Sequence, residues 1–185
     1  MKDRTLFDGD DYLFKKYLSN CKIYFEYGVG QSTIWVLENT ECIIISVDTD
    51  KNWINKVSLP KYKKRIKINW INLGDLGNWG RPKTYKYRNK FFDYIKNVWE
   101  FNIKADVILI DGRFRVACFL FSLLNAKKDS LIIFDDYINR PQYHVVEEIL
   151  KYDEKCGRQV VFRVPNIYNK ELAQKLLNNF IYVFD

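Results

Sequence analysis

Residues 22–32 read KIYFEYGVGQS and predict a β-strand that ends in a glycine-rich turn. Residues 22–27 are rich in β-branched and aromatic side chains, as is typical of a strand, and helical periodicity resumes at Gln31. Gly28 and Gly30 let the backbone turn sharply and approach a ligand closely, while the free N–H groups at the helix start face that ligand. The segment therefore predicts a strand, a ligand-binding turn and a helix.

Short apolar runs alternate with helical segments along the rest of the chain. Strands are predicted at residues 22–27, 42–47, 65–71, 106–110, 130–134, 158–164 and 180–184, and helices at residues 11–18, 31–39, 50–59, 91–101, 116–126, 141–152 and 169–177. Continuous apolar runs are typical of parallel strands that are covered on both faces. Because this alternation implies right-handed βαβ units, we predict one α/β domain over residues 1–185. Its architecture is expected to be a doubly wound, Rossmann-like sheet of seven mostly parallel strands.

The composition fits a single folded domain and narrows the class of partner. The chain has 185 residues, of which 48% are hydrophobic, and this is enough for one sizeable core. Its apolar runs are too short to span a bilayer, and its four cysteines form no C-x-x-C pair, so a reduced, cytoplasmic compartment is expected. The net charge of +7 indicates an anionic partner, with solubility alone as the alternative explanation.

Acidic residues at the next strand ends extend the predicted ligand site. Asp48 ends the second strand, where a carboxylate can accept both ribose hydroxyls, and Asp75 follows the third strand. Thr33 stands where the dinucleotide pattern G-x-G-x-x-G has its third glycine. That glycine permits tight packing beneath a pyrophosphate. Together with Glu26 before the turn, this favours a ligand that carries a cationic amino acid in place of the pyrophosphate.

The segment EYGVGQS resembles the first motif of the class I S-adenosylmethionine (SAM)-dependent methyltransferases, D/E-x-G-x-G-x-S/T. The resemblance extends over nearly the whole chain and implies SAM as the cofactor. It also implies that Glu26 lies near the methionine amino group, that Asp48 holds the ribose and that Asp75 contacts the adenine. The expected cofactor-binding residues are Glu26, Gly28, Gly30, Ser32, Asp48 and Asp75.

Three carboxylates follow the fourth and fifth predicted strands. Asp111 comes directly after the fourth strand, and Asp135 and Asp136 come directly after the fifth, so we expect them to converge above the sheet. Unpaired carboxylates would repel one another, and a divalent cation, with Mg²⁺ the first choice, would remove that repulsion. Alternatively, Asp135 and Asp136 cap the following helix or pair with Arg113 and Arg140.

The phrases IDG and FDDY are similar to those of metal-dependent sugar O-methyltransferases, in which such acids hold Mg²⁺ against the acceptor oxygens. This resemblance implies that Asp111 is catalytic and that Asp111, Asp135 and Asp136 are metal ligands. Those enzymes carry a second acid two residues after the acid that matches Asp111, and this second acid is their usual base. This chain has Arg113 at that position, so the usual base is missing here. His144, the only histidine, is the predicted base, with an exposed histidine of no catalytic role as the alternative.

Aromatic and cationic residues near the strand ends are expected to bind the acceptor. Arg81, Arg113 and Arg140 are predicted to line an anion pocket, because the guanidinium fork matches phosphate and carboxylate. Trp79 is predicted to stack on a sugar or a base, and Tyr137 is a further candidate for acceptor binding. Each of the arginines could alternatively be half of an ordinary ion pair.

These observations predict a SAM-dependent O-methyltransferase that acts on a hydroxyl of a small anionic acceptor, such as a sugar, nucleotide-sugar or glycan precursor. The segments NWGRP, IDGRFRVACF and FDDYINRPQY also resemble an uncharacterised group of bacterial methyltransferase-like proteins. The sequence leaves three other interpretations open: a nucleic-acid methyltransferase or binder, a NAD-dependent sugar-nucleotide enzyme and a catalytically inactive methyltransferase-like protein. Within the first of these, the N-methylating kind is disfavoured, because DGRF stands where such enzymes carry (N/D/S)-P-P-(Y/F). No membrane partner is expected.

Overall fold

Seven strands form one sheet in the computed structural model, which describes residues 5–7 and 10–184. The strands are β1 (Ile23–Tyr27), β2 (Ile43–Asp48), β3 (Ile66–Trp70), β4 (Val107–Ile110), β5 (Leu131–Phe134), β6 (Glu154–Cys156) and β7 (Gln159–Arg163). Their order is β3-β2-β1-β4-β5-β7-β6, with β1 to β5 parallel and the β6–β7 hairpin joined to β5 through antiparallel β7. The predicted doubly wound, seven-stranded and mostly parallel sheet is confirmed.

Helices connect the parallel strands and cover both faces of the sheet. The α-helices are α1 (Tyr12–Leu18), α2 (Gln31–Asn39), α3 (Lys51–Val57), α4 (Phe91–Lys96), α5 (Arg115–Asn125) and α6 (Lys170–Phe180). Short 3₁₀ segments lie at Pro60–Tyr62, Asn78–Gly80, Tyr85–Lys90, Asn97–Trp99 and Pro141–Glu148. Among the described residues, no helix combines the length and the apolar character needed to cross a bilayer.

The apolar core consists of two layers, one on each face of the sheet. Phe25 and Ile108 point to one face and belong to the same buried cluster as Phe119 of α5. Tyr24 and Leu109, one position away in the same strands, point to the other face and join residues of α1 and α2. Because side chains alternate along a strand, a strand must be apolar throughout when both faces are covered. This arrangement leaves the carboxyl ends of the strands as the polar edge at which a ligand can bind.

The C-terminal part of the chain differs from the prediction in three respects. The segment predicted as a strand at residues 158–164 forms β7, but its partner β6 is a short polar strand, reached through Gly157 at φ 57°. The strand predicted at residues 180–184 is wrong, because in the structure this segment ends α6 and continues as a turn. The aromatic residues of that segment pack through their rings instead, with the Phe184 ring centroid 4.7 Å from that of Tyr85. The helix predicted at residues 141–152 is the 3₁₀ segment Pro141–Glu148.

Candidate active site

The turns after β1 and β4 meet in direct backbone contact at the carboxyl edge of the sheet. Gly28 has φ 89°, and a Cβ atom at this position would lie 2.8 Å from the Cα atom of Gly112. A Cβ atom at Gly112 would collide with the hydroxyl of Tyr94 and with the Gly28 amide. Both positions therefore require glycine, and the turn expected to bind the cofactor opens on the same surface as Asp111.

Gly30 differs from Gly28 because nothing in the fold requires a glycine there. Its φ of −173° is ordinary extended backbone, and a Cβ atom built on it would meet no atom within 4 Å. Open space in front of the first turn of α2 is the arrangement that lets a ligand approach backbone N–H groups closely. These residues therefore fit the nucleoside cofactor that the sequence motif implies.

Glu26 lies beneath the glycine turn and is fully buried. Its carboxylate accepts hydrogen bonds from the hydroxyls of Ser32 and Thr33, each at 2.6 Å, and from those of Tyr24 at 3.0 Å and Ser46 at 3.3 Å. The Thr33 hydroxyl also accepts the N–H of Gly30 at 2.9 Å. Burial raises the pKa of Glu26 to about 7, and the four hydroxyl donors oppose this shift.

This geometry gives Glu26 and Ser32 a structural role, while their expected cofactor contacts stay predictions. Glu26 and Ser32 are bonded to each other under the turn, and both side chains are buried. Their role in the structure is to hold the turn in place. Thr33, which stands where dinucleotide enzymes have glycine, completes this support by bonding both Glu26 and Gly30.

Asp48 lies at the end of β2, and its carboxylate fixes two backbone amides. Its Oδ2 atom accepts the N–H of Val29 and its Oδ1 atom accepts the N–H of Asp50, each at 2.7 Å. Burial raises the pKa of Asp48, against these backbone hydrogen bonds. Each carboxylate oxygen keeps a second lone pair, so Asp48 can also accept ribose hydroxyls. Asp75 is exposed in the loop after β3.

Asp111, Asp135 and Asp136 converge as expected, with one oxygen of each within 4.8 Å of the others. The Arg115 guanidinium lies among them, 3.1 Å from Asp111 Oδ1 and 3.2 Å from Asp136 Oδ2, and it donates to the Asp135 carbonyl at 2.8 Å. Arg115 is only 3% exposed. The centre of the carboxylate cluster is therefore occupied by a buried arginine.

Two further arginines complete the neutralisation of the cluster. Arg158, in the β6–β7 turn, approaches both oxygens of Asp135, at 2.6 and 3.2 Å, and one oxygen of Asp136 at 3.1 Å. Arg140 bonds the other oxygen of Asp136 at 2.8 Å. Three carboxylates thus face three guanidinium groups, and no net negative charge is left to attract a cation. The expected Mg²⁺ site is corrected on this ground, because these residues fit an arginine-bridged network and not a divalent metal.

Asp111 is the most exposed of the three carboxylates in this network. Its side chain is 29% exposed, compared with 16% for Asp136 and none for Asp135. Desolvation, followed by the nearby charge of Asp135, raises the pKa of Asp111 well above its usual range, and Arg115 opposes this rise. Asp111 is therefore placed to exchange a proton with a bound molecule.

Only part of this network has a local signal in the sequence. Arg115 follows Asp111 by four residues, a spacing that favours an ion pair at a helix start, but Arg113 and Arg140 were the expected partners of the carboxylates. Arg140 does pair with Asp136. Arg158 carries no local signal, because only the β6–β7 hairpin brings its turn next to β5.

His144 and Tyr137 pack against each other beside the network. The Nε2 atom of His144 lies 3.1 Å from the Tyr137 carbonyl oxygen, and the two rings are 4.8 Å apart. The Tyr137 side chain is fully buried, and its hydroxyl donates to Glu147. The predicted acceptor contact of Tyr137 is therefore corrected to a packing role. His144 as a base stays a prediction, since none of its contacts with the described residues reaches Asp111.

The remaining predicted acceptor residues lie in different surroundings. Trp79 is 88% exposed at φ 60°, in a turn anchored by the hydrogen bond from the Thr49 hydroxyl to the Gly80 carbonyl. Arg81 is exposed, with its guanidinium 5.7 Å from the Phe184 ring. Arg113 is 8% exposed. Of the three arginines predicted to line an anion pocket, Arg81 is therefore the accessible one. Arg113 is buried, and Arg140 is paired with Asp136.

The strand order, the glycine turn after β1 and the acid after β2 define the class I SAM-dependent methyltransferase fold, as the sequence resemblance implied. A methyltransferase-like protein from Silicibacter pomeroyi DSS-3 matches with a TM-score of 0.83 and 26% identity, over 97% of this chain and 96% of that one. No protein-family profile and no curated protein matches the chain.

More distant solved structures share the fold alone. The O-methyltransferase from Bacillus cereus, solved with SAH, has a TM-score of 0.52 and 12% identity over 83% of this chain and 78% of that one. The MycE methyltransferase of mycinamycin biosynthesis, solved with Mg, SAH and mycinamycin VI, has a TM-score of 0.53 and 14% identity. That match covers 84% of this chain and 48% of MycE.

Glu26 makes the stability of the protein depend on pH. Its pKa rises from the ordinary 4.5 in the unfolded chain to about 7 in the fold. The contribution of Glu26 to the free energy of unfolding is therefore complete below pH 4.5 and is lost as the pH rises to about 7. We expect Glu26 to lower the free energy of unfolding by about 3 kcal/mol over this pH range, and we expect the Glu26→Gln variant to lack this pH-dependent decrease. Urea unfolding between pH 4.5 and 7 measures how the free energy of unfolding changes with pH, with Glu38→Gln at an exposed position as the control. Equal slopes in wild type and Glu26→Gln would contradict the assignment.

The two glycines of the turn predict opposite consequences of alanine substitution. Gly28→Ala is expected to destabilise the fold by several kcal/mol, because it combines a positive φ with a backbone clash. Gly30→Ala is expected to leave the melting temperature nearly unchanged and to weaken SAH binding at least tenfold, because its methyl group occupies the space in front of α2. Differential scanning calorimetry and titration calorimetry separate the two effects. Full SAH affinity in Gly30→Ala would show that this space is not the cofactor site.

Arg115 is expected to take the place of a metal. Arg115→Met should destabilise the protein by roughly 3–5 kcal/mol, because it leaves buried carboxylates without their cation. Millimolar Mg²⁺ should restore part of that loss in the variant and leave the wild type and an Arg163→Met surface control unaffected. Thermal unfolding with and without Mg²⁺ or a chelator measures this. A wild-type protein that Mg²⁺ stabilises or a chelator destabilises would restore the metal assignment.

Proposed function

We propose that this protein is a SAM-dependent O-methyltransferase that acts on a hydroxyl of a small anionic acceptor without a divalent cation. The observation that carries the proposal is the contact between Gly28 and Gly112. A Cβ atom at Gly28 would also lie 3.0 Å from the Asp111 carbonyl oxygen, and this proximity supports one surface for the open space before Gly30 and the Asp111 carboxylate. A nucleoside site beside a proton acceptor is the arrangement that methylation of a hydroxyl needs.

The residues of the cofactor half would bind and orient the nucleoside. SAM, when bound, supplies a methyl group on a cationic sulfur. The first-turn amides of α2 and the free lone pairs of Asp48 are the donors and acceptors that face the site, and the buried Glu26 network holds this turn rigid. A rigid turn lowers the cost of placing two reactants within reaction distance.

Asp111 would take up the proton from the hydroxyl that is methylated. The hydroxyl proton would pass to the accessible Asp111 oxygen as the hydroxyl oxygen gains its bond to the methyl carbon and the bond from that carbon to the cofactor sulfur breaks. The negative charge of the carboxylate and the positive charge of the sulfur would then be lost together. Arg115 is a positioning residue here, because it holds Asp111 Oδ1 at 3.1 Å and leaves the carboxylate oriented. Desolvation and the nearby charge of Asp135 raise the pKa of Asp111, which makes its carboxylate a stronger proton acceptor.

The anionic character of the acceptor is proposed from charge and exposure. The net charge of +7 draws anions to the protein, and Arg81 and the exposed Trp79 lie together on the loop after β3. An arginine beside an exposed aromatic ring suits a ring-bearing ligand with a phosphate or carboxylate, as in a sugar phosphate or nucleotide-sugar. A single arginine and a single ring can engage only a small acceptor.

The decisive experiment combines ligand binding with methyl transfer. We expect the purified protein to bind SAH and not NAD in titration calorimetry, and to transfer label from methyl-labelled SAM to a nucleotide-sugar or sugar phosphate in a panel that also contains RNA and DNA. Asp111→Asn should bind SAH normally and lose roughly 10²- to 10⁴-fold in transfer rate. Asp93→Asn, at a half-buried position in α4, is the matched control.

Each contrary outcome would replace the proposal with a different function. Binding of NAD alone would favour a NAD-dependent enzyme, and labelling of RNA or DNA would favour a nucleic-acid methyltransferase. Unchanged transfer in Asp111→Asn would assign the proton to another group, with His144 the next candidate. SAH binding that is absent under all conditions would leave an inactive member of the fold.

A further inference from the structure

The net positive charge of the chain resides in residues 51–70. This segment contains seven lysines and arginines and no acidic residue, whereas the rest of the chain has equal numbers of basic and acidic residues. The net charge of +7 therefore equals the charge of one short segment. Charge that is segregated in this way is typical of a surface that binds an anionic partner. The seven residues are Lys51, Lys56, Lys61, Lys63, Lys64, Arg65 and Lys67.

The fold places this segment at one edge of the sheet, and we call the surface that it forms the cationic edge. It consists of α3, the 3₁₀ segment Pro60–Tyr62, β3, which is the outermost strand, and the residues that join them. All six lysines are exposed. Arg65 lies 3.7 Å from Glu41, but none of the six lysines forms a salt bridge with any residue that the structure describes. Their charge is therefore left for a partner to neutralise.

Two ordinary roles of surface lysines do not explain the cationic edge. Lysine protects edge strands from pairing with other chains, but Lys67 is the one lysine within β3, and the other five precede the strand. Solubility accounts for the charge, but it does not account for the aromatic rings that accompany it. A binding role explains both features.

Three of the five tryptophans lie on the cationic edge or next to it, and they belong to neither of the two buried clusters. They are Trp53 in α3, Trp70 at the end of β3, which is 40% exposed, and Trp79 in the following loop, which is 88% exposed. The Trp70 indole N–H donates to the Thr49 carbonyl at 2.9 Å, and the Thr49 hydroxyl donates to the Gly80 carbonyl at 2.9 Å. These bonds fix two exposed rings side by side.

Lysine ammonium groups lie directly beside these rings. The Nζ atom of Lys51 is 3.6 Å from the centroid of the Trp70 ring, and that of Lys56 is 4.3 Å from the centroid of the Trp53 ring. Each pair offers a flat apolar face and a positive charge within one side chain's reach. Single-stranded nucleic acid presents the complement of both at every nucleotide, an unpaired base and a phosphate. A duplex hides the faces of its bases in the stack and presents their edges in the grooves.

We propose that the cationic edge binds single-stranded nucleic acid, with phosphates on its lysines and bases stacked on its tryptophans. Asp48 and Trp70 are partners in the register of β2 and β3, so one end of this surface adjoins the candidate nucleoside site. The proposal concerns binding alone. It does not require that the strand is methylated, and it does not rest on the proposed enzymatic function.

The test measures the fluorescence anisotropy of labelled oligo(U) and oligo(dT) with the full chain, in the absence of SAM and SAH. The oligonucleotides have about 20 nucleotides, which is longer than a typical site. We expect both to bind with an affinity that falls steeply with salt, and a duplex of the same length to bind at least fivefold more weakly. A duplex that binds as tightly as the single strands would overturn the proposal.

A triple lysine variant locates the phosphate contacts. Lys61→Gln, Lys63→Gln and Lys64→Gln together should weaken binding at least tenfold. The slope of log K against log salt should become shallower by about 2, because each phosphate contact with a single strand contributes about 0.7.

The matched control removes the same charge from exposed lysines outside the cationic edge. Lys155→Gln, Lys170→Gln and Lys175→Gln together should bind oligo(U) nearly as tightly as the wild type. Equal losses in the two triple variants would show that total charge alone attracts the strand, and this result would overturn the proposal.

A tryptophan variant separates nucleic acid from other polyanions. Trp53→Ala should weaken the binding of oligo(U) at least fivefold and leave the binding of heparin unchanged, because stacking requires a base. Tyr12→Ala, which removes a 62% exposed ring from α1, is the control. Circular dichroism checks that each variant is folded. Tighter binding to heparin or to phosphatidylglycerol vesicles than to oligo(U), with no effect of Trp53→Ala, would assign the edge to an anionic glycan or a membrane instead.

Discussion

The close contact between the Gly28 and Gly112 backbones is the constraint on which the candidate site depends. Neighbouring parallel strands lie about 4.8 Å apart, so turns at their ends can touch only where side chains are absent. With glycine at both positions, the turn that faces the nucleoside and the turn that carries Asp111 form one continuous surface. A larger residue at either position would push the two halves of the site apart, whatever the other residues of the site were.

The electrostatics of the site follow from how its buried acids are satisfied. Glu26 is surrounded by hydroxyl groups, which add no charge, and burial raises its pKa to about 7 against the hydrogen bonds that they donate. The cluster around Asp135 is satisfied by guanidinium groups, which cancel its charge directly. A buried ion network of this kind gives precise geometry more than net stability. It therefore suits a surface on which Asp111 must be held in one orientation.

The sequence predicted the parts of the fold and site that depend on local pattern. The glycine turn, the acid at Asp48 and the convergence of three carboxylates all follow from residues at the ends of apolar strands, and strand ends in a parallel sheet share one edge. What the sequence could not supply was the partner of each group. Arg158 comes from a hairpin whose first strand is short and polar, and the Ser46 hydroxyl reaches the Glu26 carboxylate from the neighbouring strand β2.

The packing of the chain end has a consequence for the order in which the molecule acquires its structure. The Phe184 ring packs against those of Tyr85 and Phe91, and Arg81 lies over it. The loop after β3 therefore receives part of its packing from a residue that is synthesised after every strand of the sheet. During translation the parallel strands and the glycine turn emerge first and can associate before these aromatic contacts exist. The surface proposed to bind the acceptor would then be the last to fold, after the glycine turn of the candidate nucleoside site has already formed.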